Sequence, residues 1–289
     1  MQVAFSTRSM AASVGVGLKR VCPLEKFYTT DNVAARCVRG LLEVMPQVQG
    51  YSWLEPSAGD GAFVRAVREH DALQDVELHA IDVSPADAAI QVGDFFKWSR
   101  PLNAGKLVVY GNPPFGRQSK LAGAFIRHAC DTLAADVVAF ILPRSFKKPS
   151  MQKRVPRNYH LRHELDLSDC GFKIGGLEHV VSCVFQVWER GESERELPTC
   201  SEPAGFRFVK GDADHDMTIR RVGHLAGQAS CDATSPNSNT HYFIRFDDDH
   251  DLHDLADRLC AYSYADHTTG PKSISKSEVC EAIAVVCRV

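Results

Sequence analysis

The chain has 289 residues, of which 44% are hydrophobic and 24% are charged. This composition is ordinary for a soluble globular protein that can bury a sizeable core. Because the net charge is −3, the molecule as a whole is not a polycation, and any surface for nucleic acid must be a local patch.

Residues 1–24 contain Arg8, Lys19 and Arg20 but no acidic residue. This composition resembles an organellar transit peptide. The modest arginine content favours a flexible tail instead, and both interpretations stay open. We expect the folded part of the chain to begin near residue 25.

Strand-like and helix-like patterns alternate over residues 51–188. The predicted strands are 51–54, 76–81, 107–110, 137–142, 161–167 and 181–188. The predicted helices are 61–69, 121–133 and one that begins at Thr30 or Asp31. Repeated strand–helix units predict an α/β fold, with a mostly parallel sheet and helices on both faces.

A polar, proline-containing segment follows this core at residues 191–205 and is typical of a linker. We therefore predict a core of 25–190 and a small C-terminal α+β region of 206–289, with a predicted role in substrate recognition. That region has 9 Lys or Arg against 13 Asp or Glu, so bulk charge does not suit it to phosphates. Its Arg220 and Arg221 are either phosphate contacts or an exposed strand pair.

A glycine turn follows the first core strand. Gly59 and Gly61 permit a tight turn and a close approach of the backbone to a ligand. A dinucleotide-binding turn has a third glycine and meets a pyrophosphate, whereas Glu55 and Asp60 flank this turn. These acids would repel phosphate but suit a ligand with an ammonium group and ribose hydroxyls, such as S-adenosyl-L-methionine.

Two more acids follow in the order that such a site requires. Asp82 ends the second core strand, where an acid commonly accepts hydrogen bonds from ribose hydroxyls. Asp94 precedes Phe95 and Phe96, so a carboxylate can accept from an adenine amine while a ring packs on the base. The order and spacing of these pieces favour a single cofactor site.

The motif Asn112-Pro113-Pro114-Phe115 follows an apolar run at 106–110. Two prolines cannot continue a strand ladder, so the chain leaves the sheet there in a stiff turn. The amide oxygen and a backbone carbonyl can accept from an exocyclic amine, and the ring can stack on a flat base. The alternative is a rigid turn that packs Phe115 into the core.

Together these motifs resemble the S-adenosylmethionine-dependent N6-adenine methyltransferases, over about residues 26–190. Lys26-Phe27-Tyr28-Thr29 resembles the upstream motif that packs against the methionine end of the cofactor in that family. The resemblance implies a Rossmann-like sheet, S-adenosyl-L-methionine as cofactor, and catalytic roles for Asn112, Pro113, Pro114 and Phe115. The implied cofactor contacts are Phe27, Tyr28, Thr29, Glu55, Pro56, Ser57, Ala58, Gly59, Asp60, Gly61, Asp82, Val83, Asp94, Phe95 and Asn112.

A basic segment at 143–157 follows the predicted strand 137–142 and has six basic residues and no acid. At the carboxyl end of a parallel strand it should border the ligand crevice, where it can track a phosphate backbone. The alternative is a solvated basic loop. The predicted substrate contacts are Phe115, Arg144, Phe146, Lys147, Lys148, Lys153 and Arg154, with Phe146 stacking on a neighbouring base.

These motifs predict methylation of the N6 amine of adenine in nucleic acid, with DNA slightly favoured over RNA. The alternatives are a protein glutamine methyltransferase, whose substrate also presents an amine, and a non-catalytic cofactor-binding scaffold. No oligomeric state follows from the sequence.

Neither a metal nor a membrane enters the prediction. The ten cysteines include no Cys-x-x-Cys pair, which argues against structural zinc and favours a reducing, intracellular compartment, the cytoplasm by default. An acidic run at 247–254 is more typical of a solvated loop and helix start than of a metal site. No apolar run approaches the ~20 residues that a bilayer-spanning helix needs.

Overall fold

A computed structural model describes residues 27–101, 105–174, 177–197, 205–211, 213–232, 236–265, 267–268 and 271–287. The predicted tail at 1–24, Lys26 and part of the predicted linker lie outside these residues. The strands are β1 (Tyr28–Thr29), β2 (Ser52–Glu55), β3 (Leu78–Asp82), β4 (Gln91–Val92), β5 (Leu107–Gly111), β6 (Val137–Pro143), β7 (Tyr159–Asp166), β8 (Gly171–Ile174), β9 (Leu177–Val180), β10 (Cys183–Arg190), β11 (Phe206–Val209), β12 (Met217–Arg220), β13 (Ala229–Ser230) and β14 (His241–Phe246). The helices are α1 (Asp31–Val44), α2 (Ala62–Arg68), α3 (Lys120–Arg127), α4 (Pro149–Gln152), α5 (Leu252–Ala261) and α6 (Lys276–Val286).

The central sheet has seven strands in the order β4-β3-β2-β5-β6-β10-β7. Strands β4, β3, β2, β5 and β6 pair in parallel, whereas β10 runs antiparallel to both of its neighbours. All seven residues of β6 are buried, which explains its continuous apolar sequence. The predicted α/β fold with a mostly parallel, Rossmann-like sheet is confirmed.

Helices cover both faces of this sheet. Along β2, Trp53 belongs to one hydrophobic cluster and Leu54 to another, because successive side chains of a strand point to opposite faces. Residues of α1 and α2 pack in the first cluster, and residues of α3 pack in the second. The sheet is therefore the middle layer of a three-layer core.

A crevice lies where the chain changes direction across the sheet. Strand β2 pairs with β3 on one side and with β5 on the other, so successive crossovers proceed to opposite edges from this point. In open α/β sheets, ligands bind outside the carboxyl ends of the strands at such a switch point. The turns that follow β2 and β5 therefore meet at the crevice.

Some elements differ from the sequence prediction. A small sheet of β1, β8 and β9 was not predicted, because β1 has only two residues and the other two strands form a short hairpin. The predicted helix 121–133 is α-helical only to Arg127 and continues as a π turn over His128–Thr132. Strand β11 and helix α6 were also missed.

The C-terminal residues form a hydrophobic cluster of their own. Strands β11, β14, β12 and β13 make a four-stranded sheet in that order, and α5 and α6 pack on it. The Lys148 ammonium joins this region to the core, since it donates to the Ser273 carbonyl at 2.5 Å and to Glu278 at 3.1 Å. Among the described helices, none has the length and apolar character needed to cross a membrane.

Candidate active site

A cavity of about 830 Å³ opens at the carboxyl ends of β2, β3 and β5. This volume lies within the ~300–1,000 Å³ typical of small-molecule sites. Its lining includes all four predicted catalytic residues and every predicted cofactor contact except Gly61, which precedes α2 instead. The lining also includes Phe96, the second ring after Asp94. Sequence reasoning missed the lining residues Ala62, Phe63, Ser84, Gly116, Arg117, Leu121 and Phe125.

The glycine turn after β2 requires its glycines. Gly59 and Gly61 have φ values of +57° and +83°, a region that favours glycine. A Cβ on Gly59 would lie 3.0 Å from the Tyr28 ring, so a side chain there would be tightly packed against β1. The Asp82 carboxylate accepts hydrogen bonds from the backbone N–H groups of Gly59 at 2.9 Å and Ser84 at 2.8 Å. Asp82 thereby fixes the turn against the end of β3.

Glu55 is a buried acid in the wall of the cavity. Glu55 is 2% exposed, and its Oε2 atom has no hydrogen-bond partner among the described residues. Burial raises the pKa of the Glu55 carboxyl well above its usual value, and the nearby charges of Asp60 and Asp82 raise it further. A buried acceptor without a partner is costly, so a ligand that donates a hydrogen bond or carries positive charge would stabilise it.

Contacts with β1 orient the Asn112 side chain. Its Nδ2 atom donates to the Thr29 hydroxyl at 3.1 Å and to the Phe27 carbonyl at 3.4 Å. Because a carbonyl can only accept, the nitrogen must be the end of the amide that faces β1. The amide oxygen is then the end that can accept from a substrate amine. The Ser57 hydroxyl also donates to the Asn112 carbonyl at 3.2 Å, which joins this motif to the glycine turn.

A strained turn follows the motif. Gly116 has a φ of +66°, and a Cβ there would lie 2.8 Å from the Leu121 Cβ. Gln118 and Ser119 also have positive φ, which is uncommon for residues with a side chain. The Arg154 guanidinium donates to the carbonyls of Gln118 at 3.1 Å and Ser119 at 2.8 Å. Arg154, predicted to contact substrate, therefore stabilises the turn beside Phe115.

Aromatic rings form another wall of the cavity. Phe95 is buried, and its ring centroid lies 4.9 Å from that of Phe125. Phe96 is 43% exposed and meets the Phe125 ring edge-on at 5.2 Å. Asp94 accepts a hydrogen bond from the Phe96 N–H at 3.0 Å and so caps the short helical turn that carries both rings. The wall can pack against a flat ligand while Asp94 accepts from its edge.

Comparison with known proteins finds structures but no sequence family. Neither a protein-family model nor a curated protein matches the chain. A candidate RNA methyltransferase from Pyrococcus horikoshii has 16% identity and a TM-score of 0.44, covering 58% of this chain and 88% of that one. A candidate class I S-adenosylmethionine-dependent methyltransferase from Listeria monocytogenes has 16% identity and a TM-score of 0.43, covering 60% and 63%. A candidate methyltransferase from Escherichia coli has 19% identity and a TM-score of 0.36, covering 55% and 86%.

The basic segment after β6 does not line the cavity. Phe146 is fully buried in the core, so the structure contradicts its predicted stacking on a base. Lys148 is also buried, and its ammonium is paired with Glu278 of α6. Its predicted phosphate contact is wrong for the same physical reason, because the charge is held inside the protein.

Two further cations of this segment are paired with acids of β7. The Lys147 ammonium lies 2.9 Å from Asp166 and 3.6 Å from Glu164. Arg144 lies 3.5 Å from the same Asp166 carboxylate. Among the described basic residues that were predicted to contact substrate, only Lys153 is exposed to solvent. Arg144, Lys147 and Lys148 are thus each paired with an acid of another element.

The acidic run at 247–254 begins a helix. The Asp251 carboxylate accepts from the Asp254 N–H at 3.1 Å and caps α5. Within the described ranges, no group of three or more His, Cys, Asp or Glu side chains is placed to hold a metal ion. Asp251 thus caps the helix, while Asp247 pairs with Arg207 and Asp254 pairs with Arg258.

Proposed function

We propose that this chain transfers a methyl group from S-adenosyl-L-methionine to the N6 amine of adenine in a nucleic acid, with DNA slightly favoured over RNA. The observation that carries this proposal is a single cavity lined by the acid-flanked glycine turn and by Asn112-Pro113-Pro114-Phe115. A cofactor at the turn and an amine at the motif would be neighbours there. Such proximity is the main requirement of a direct group transfer.

The residues of the cavity fit S-adenosyl-L-methionine. The unpartnered oxygen of buried Glu55 suits the ammonium of its amino-acid end. Asp82 has further lone pairs with which to accept from ribose hydroxyls, and the wall of Asp94 and Phe95 suits an adenine. When bound, the cofactor would supply a methyl group on a positively charged sulfur. The sulfur keeps the electron pair of the sulfur–methyl bond, and the cofactor leaves as a neutral thioether.

Asn112 and Pro113 would orient the substrate amine. The adenine N6 lone pair is delocalised into the ring, so the amine is a poor nucleophile. If the Asn112 side-chain oxygen and the Pro113 carbonyl accept its two hydrogens, the nitrogen is drawn towards tetrahedral geometry and its lone pair becomes available. These acceptors act as preorganised dipoles, and the proton leaves to water from the product cation. No strong base is needed before the transfer.

Phe115 would hold the base in place. Its ring lines the cavity next to Asn112 and packs partly against both hydrophobic clusters, which limits its movement. A rigid ring of this kind can stack on the face of an adenine. Because Asn112 and Phe115 lie in the wall of a cavity, a base in a duplex would first have to leave the stack to reach them. This costs a few kcal/mol and is easiest for unpaired nucleotides.

The direct test is mass spectrometry of nucleosides after reaction. The purified protein is incubated with methyl-labelled S-adenosyl-L-methionine and, separately, with DNA, RNA and protein, and each product is digested. We expect labelled N6-methyladenine nucleoside from a nucleic acid, with more from DNA than from RNA. Label that appears only in protein, on glutamine, would overturn the proposal, as would cofactor binding with no transfer to any substrate.

A further inference from the structure

The C-terminal region contains a second cavity, of about 610 Å³. It lies between β11, the start of β14 and the first residue of α6. Its lining includes Phe208, Lys210, Arg221, Tyr242 and Lys276. None of the cofactor or catalytic residues described above belongs to it.

The lining of this cavity is positively charged, whereas the C-terminal region as a whole is negatively charged. Lys210, Arg221 and Lys276 line it, and the described lining residues include no Asp or Glu. The surrounding residues 206–289 nevertheless have more acids than bases, with 13 Asp or Glu against 9 Lys or Arg. Three cations therefore converge locally, and such a concentration favours an anionic ligand.

The floor of the cavity is aromatic. The rings of Phe208 and Tyr242 meet edge-on, with centroids 5.6 Å apart. The Lys276 ammonium lies 4.6 Å from the centroid of Phe208, and the Arg221 guanidinium lies 5.4 Å from that of Tyr242. The Tyr242 hydroxyl donates to the Ile274 carbonyl at 3.1 Å and fixes its ring. These two cations are thus each held above a ring.

Two other cations of the same sheet are paired with acids. Arg207 pairs with Asp247, and Arg245 pairs with Asp214 at 2.5 Å. By contrast, the Nε atom of Arg221 is buried and has no hydrogen-bond partner among the described residues. A buried donor of this kind is costly unless a ligand accepts from it. Within the described part of the chain, Arg207 and Arg245 thus have acidic partners, whereas the buried Nε atom of Arg221 has no hydrogen-bond partner.

We propose that this second cavity binds a phosphodiester of the nucleic-acid strand whose adenine enters the first cavity. Lys210, Arg221 and Lys276 contact the phosphate, and the Phe208–Tyr242 floor packs against the neighbouring base or sugar. The proposal rests on the proposed function. Its site is fixed relative to the core, because α6 carries both Lys276 and the Glu278 that pairs with Lys148.

The test compares two double variants by equilibrium binding. Lys210→Gln/Lys276→Gln removes two exposed cations of the cavity, and Arg207→Gln/Arg245→Gln removes the same charge from the same region outside it. Binding of a fluorescent single-stranded oligonucleotide is measured over a series of salt concentrations, and melting temperatures verify folding. We expect the cavity variant to bind more weakly. The slope of the logarithm of its binding constant against the logarithm of salt concentration should be smaller in magnitude by about 0.7 for each phosphate that it no longer neutralises. The control variant should keep the wild-type slope.

The outcomes separate this inference from the proposed function. Equal slopes for wild type and the cavity variant, in a protein that still methylates nucleic acid, would overturn the inference alone. No binding and no methylation of any nucleic acid would overturn both. Competition with inorganic phosphate distinguishes a phosphate of the strand from a free phosphate as the ligand. If phosphate displaces the oligonucleotide only at concentrations far above those at which the oligonucleotide binds, the cavity is a strand site. If phosphate binds as tightly as the oligonucleotide, the inference is contradicted.

Discussion

The turns after β5 and β6 are neighbours at one edge of the sheet, yet they differ in what their side chains do. The turn after β5 places Asn112, Pro113, Pro114 and Phe115 in the wall of the larger cavity. The turn after β6 buries Phe146 in the core and pairs Lys147 and Lys148 with acids from other elements. A residue at the carboxyl edge of the sheet is therefore available to a ligand only if its side chain is neither buried in the core nor paired with another residue of the protein.

The largest expected effect is a loss of stability at Phe146. Phe146→Ala removes a fully buried ring from the core and should lower the free energy of unfolding by about 3–5 kcal/mol. Denaturant unfolding measures this change, and Phe146→Leu, which keeps more of the volume, should lose less. Nucleic-acid affinity of the folded fraction should stay the same. A variant of wild-type stability that binds oligonucleotide poorly would instead make the β6 turn a substrate surface.

A substitution at Asn112 should instead reduce turnover. Asn112→Ala removes the proposed acceptor for the amine and should lower kcat about 10²–10³-fold, the usual cost of one oriented polar group in a transition state. Cofactor affinity, measured by calorimetry, should change little. Thr29→Val is the matched control, because it removes only the hydroxyl that accepts from Asn112 Nδ2 and should cost less. Unchanged turnover in Asn112→Ala would contradict the proposed role.

Glu55 should make cofactor binding depend on pH. Only its ionised form attracts an ammonium, so affinity should fall as pH is lowered through the pKa of this carboxyl, which burial raises. Glu55→Gln should bind about 10–100-fold more weakly and lose this dependence, because a charged hydrogen bond contributes about 1.5–3 kcal/mol. Calorimetry over a pH series tests both expectations, and a wild-type profile that is flat across the acid range would contradict them.

The same residue has the opposite effect on the ligand-free protein. A raised pKa means that the folded state binds the proton more tightly than the unfolded state does. Stability is therefore full below the unfolded pKa and falls as pH rises towards the folded pKa. Glu55→Gln should lack this fall and melt at a higher temperature than wild type at neutral pH. Glu55 would then favour cofactor binding at a cost in stability, which thermal unfolding with and without cofactor can measure.

The sequence predicted the six longer strands of the central sheet and much of the cavity lining because their signals are local. Apolar runs, the glycines near Gly59 and the prolines after Asn112 each determine the backbone within a few residues. It did not predict the partners of the basic segment, because Glu164, Asp166 and Glu278 belong to β7 and α6 and meet that segment only in three dimensions. Helix α6 did have a local signal, the capping box of Ser275 and Glu278, which hydrophobic periodicity alone does not register.

The smallest expected effect concerns Lys147. Burial raises the pKa of the Asp166 carboxyl, but hydrogen bonds from Ser168 and Lys147 outweigh burial and hold the pKa below its usual range. The stability from this pairing is therefore present above the unfolded pKa and is lost as pH falls through the folded pKa. Lys147→Met should cost about 0.2–1 kcal/mol at neutral pH, because the pair is partly exposed, and less in acid.

Lys153→Met is the matched control for Lys147→Met, since it removes a charge that lies in solvent in the same segment. It should leave stability unchanged at every pH. Chemical unfolding of both variants across the acid range tests the difference. If Lys147→Met instead keeps wild-type stability and flattens the salt dependence of oligonucleotide binding, then its ammonium leaves Asp166 for a phosphate, and the two turns share one function.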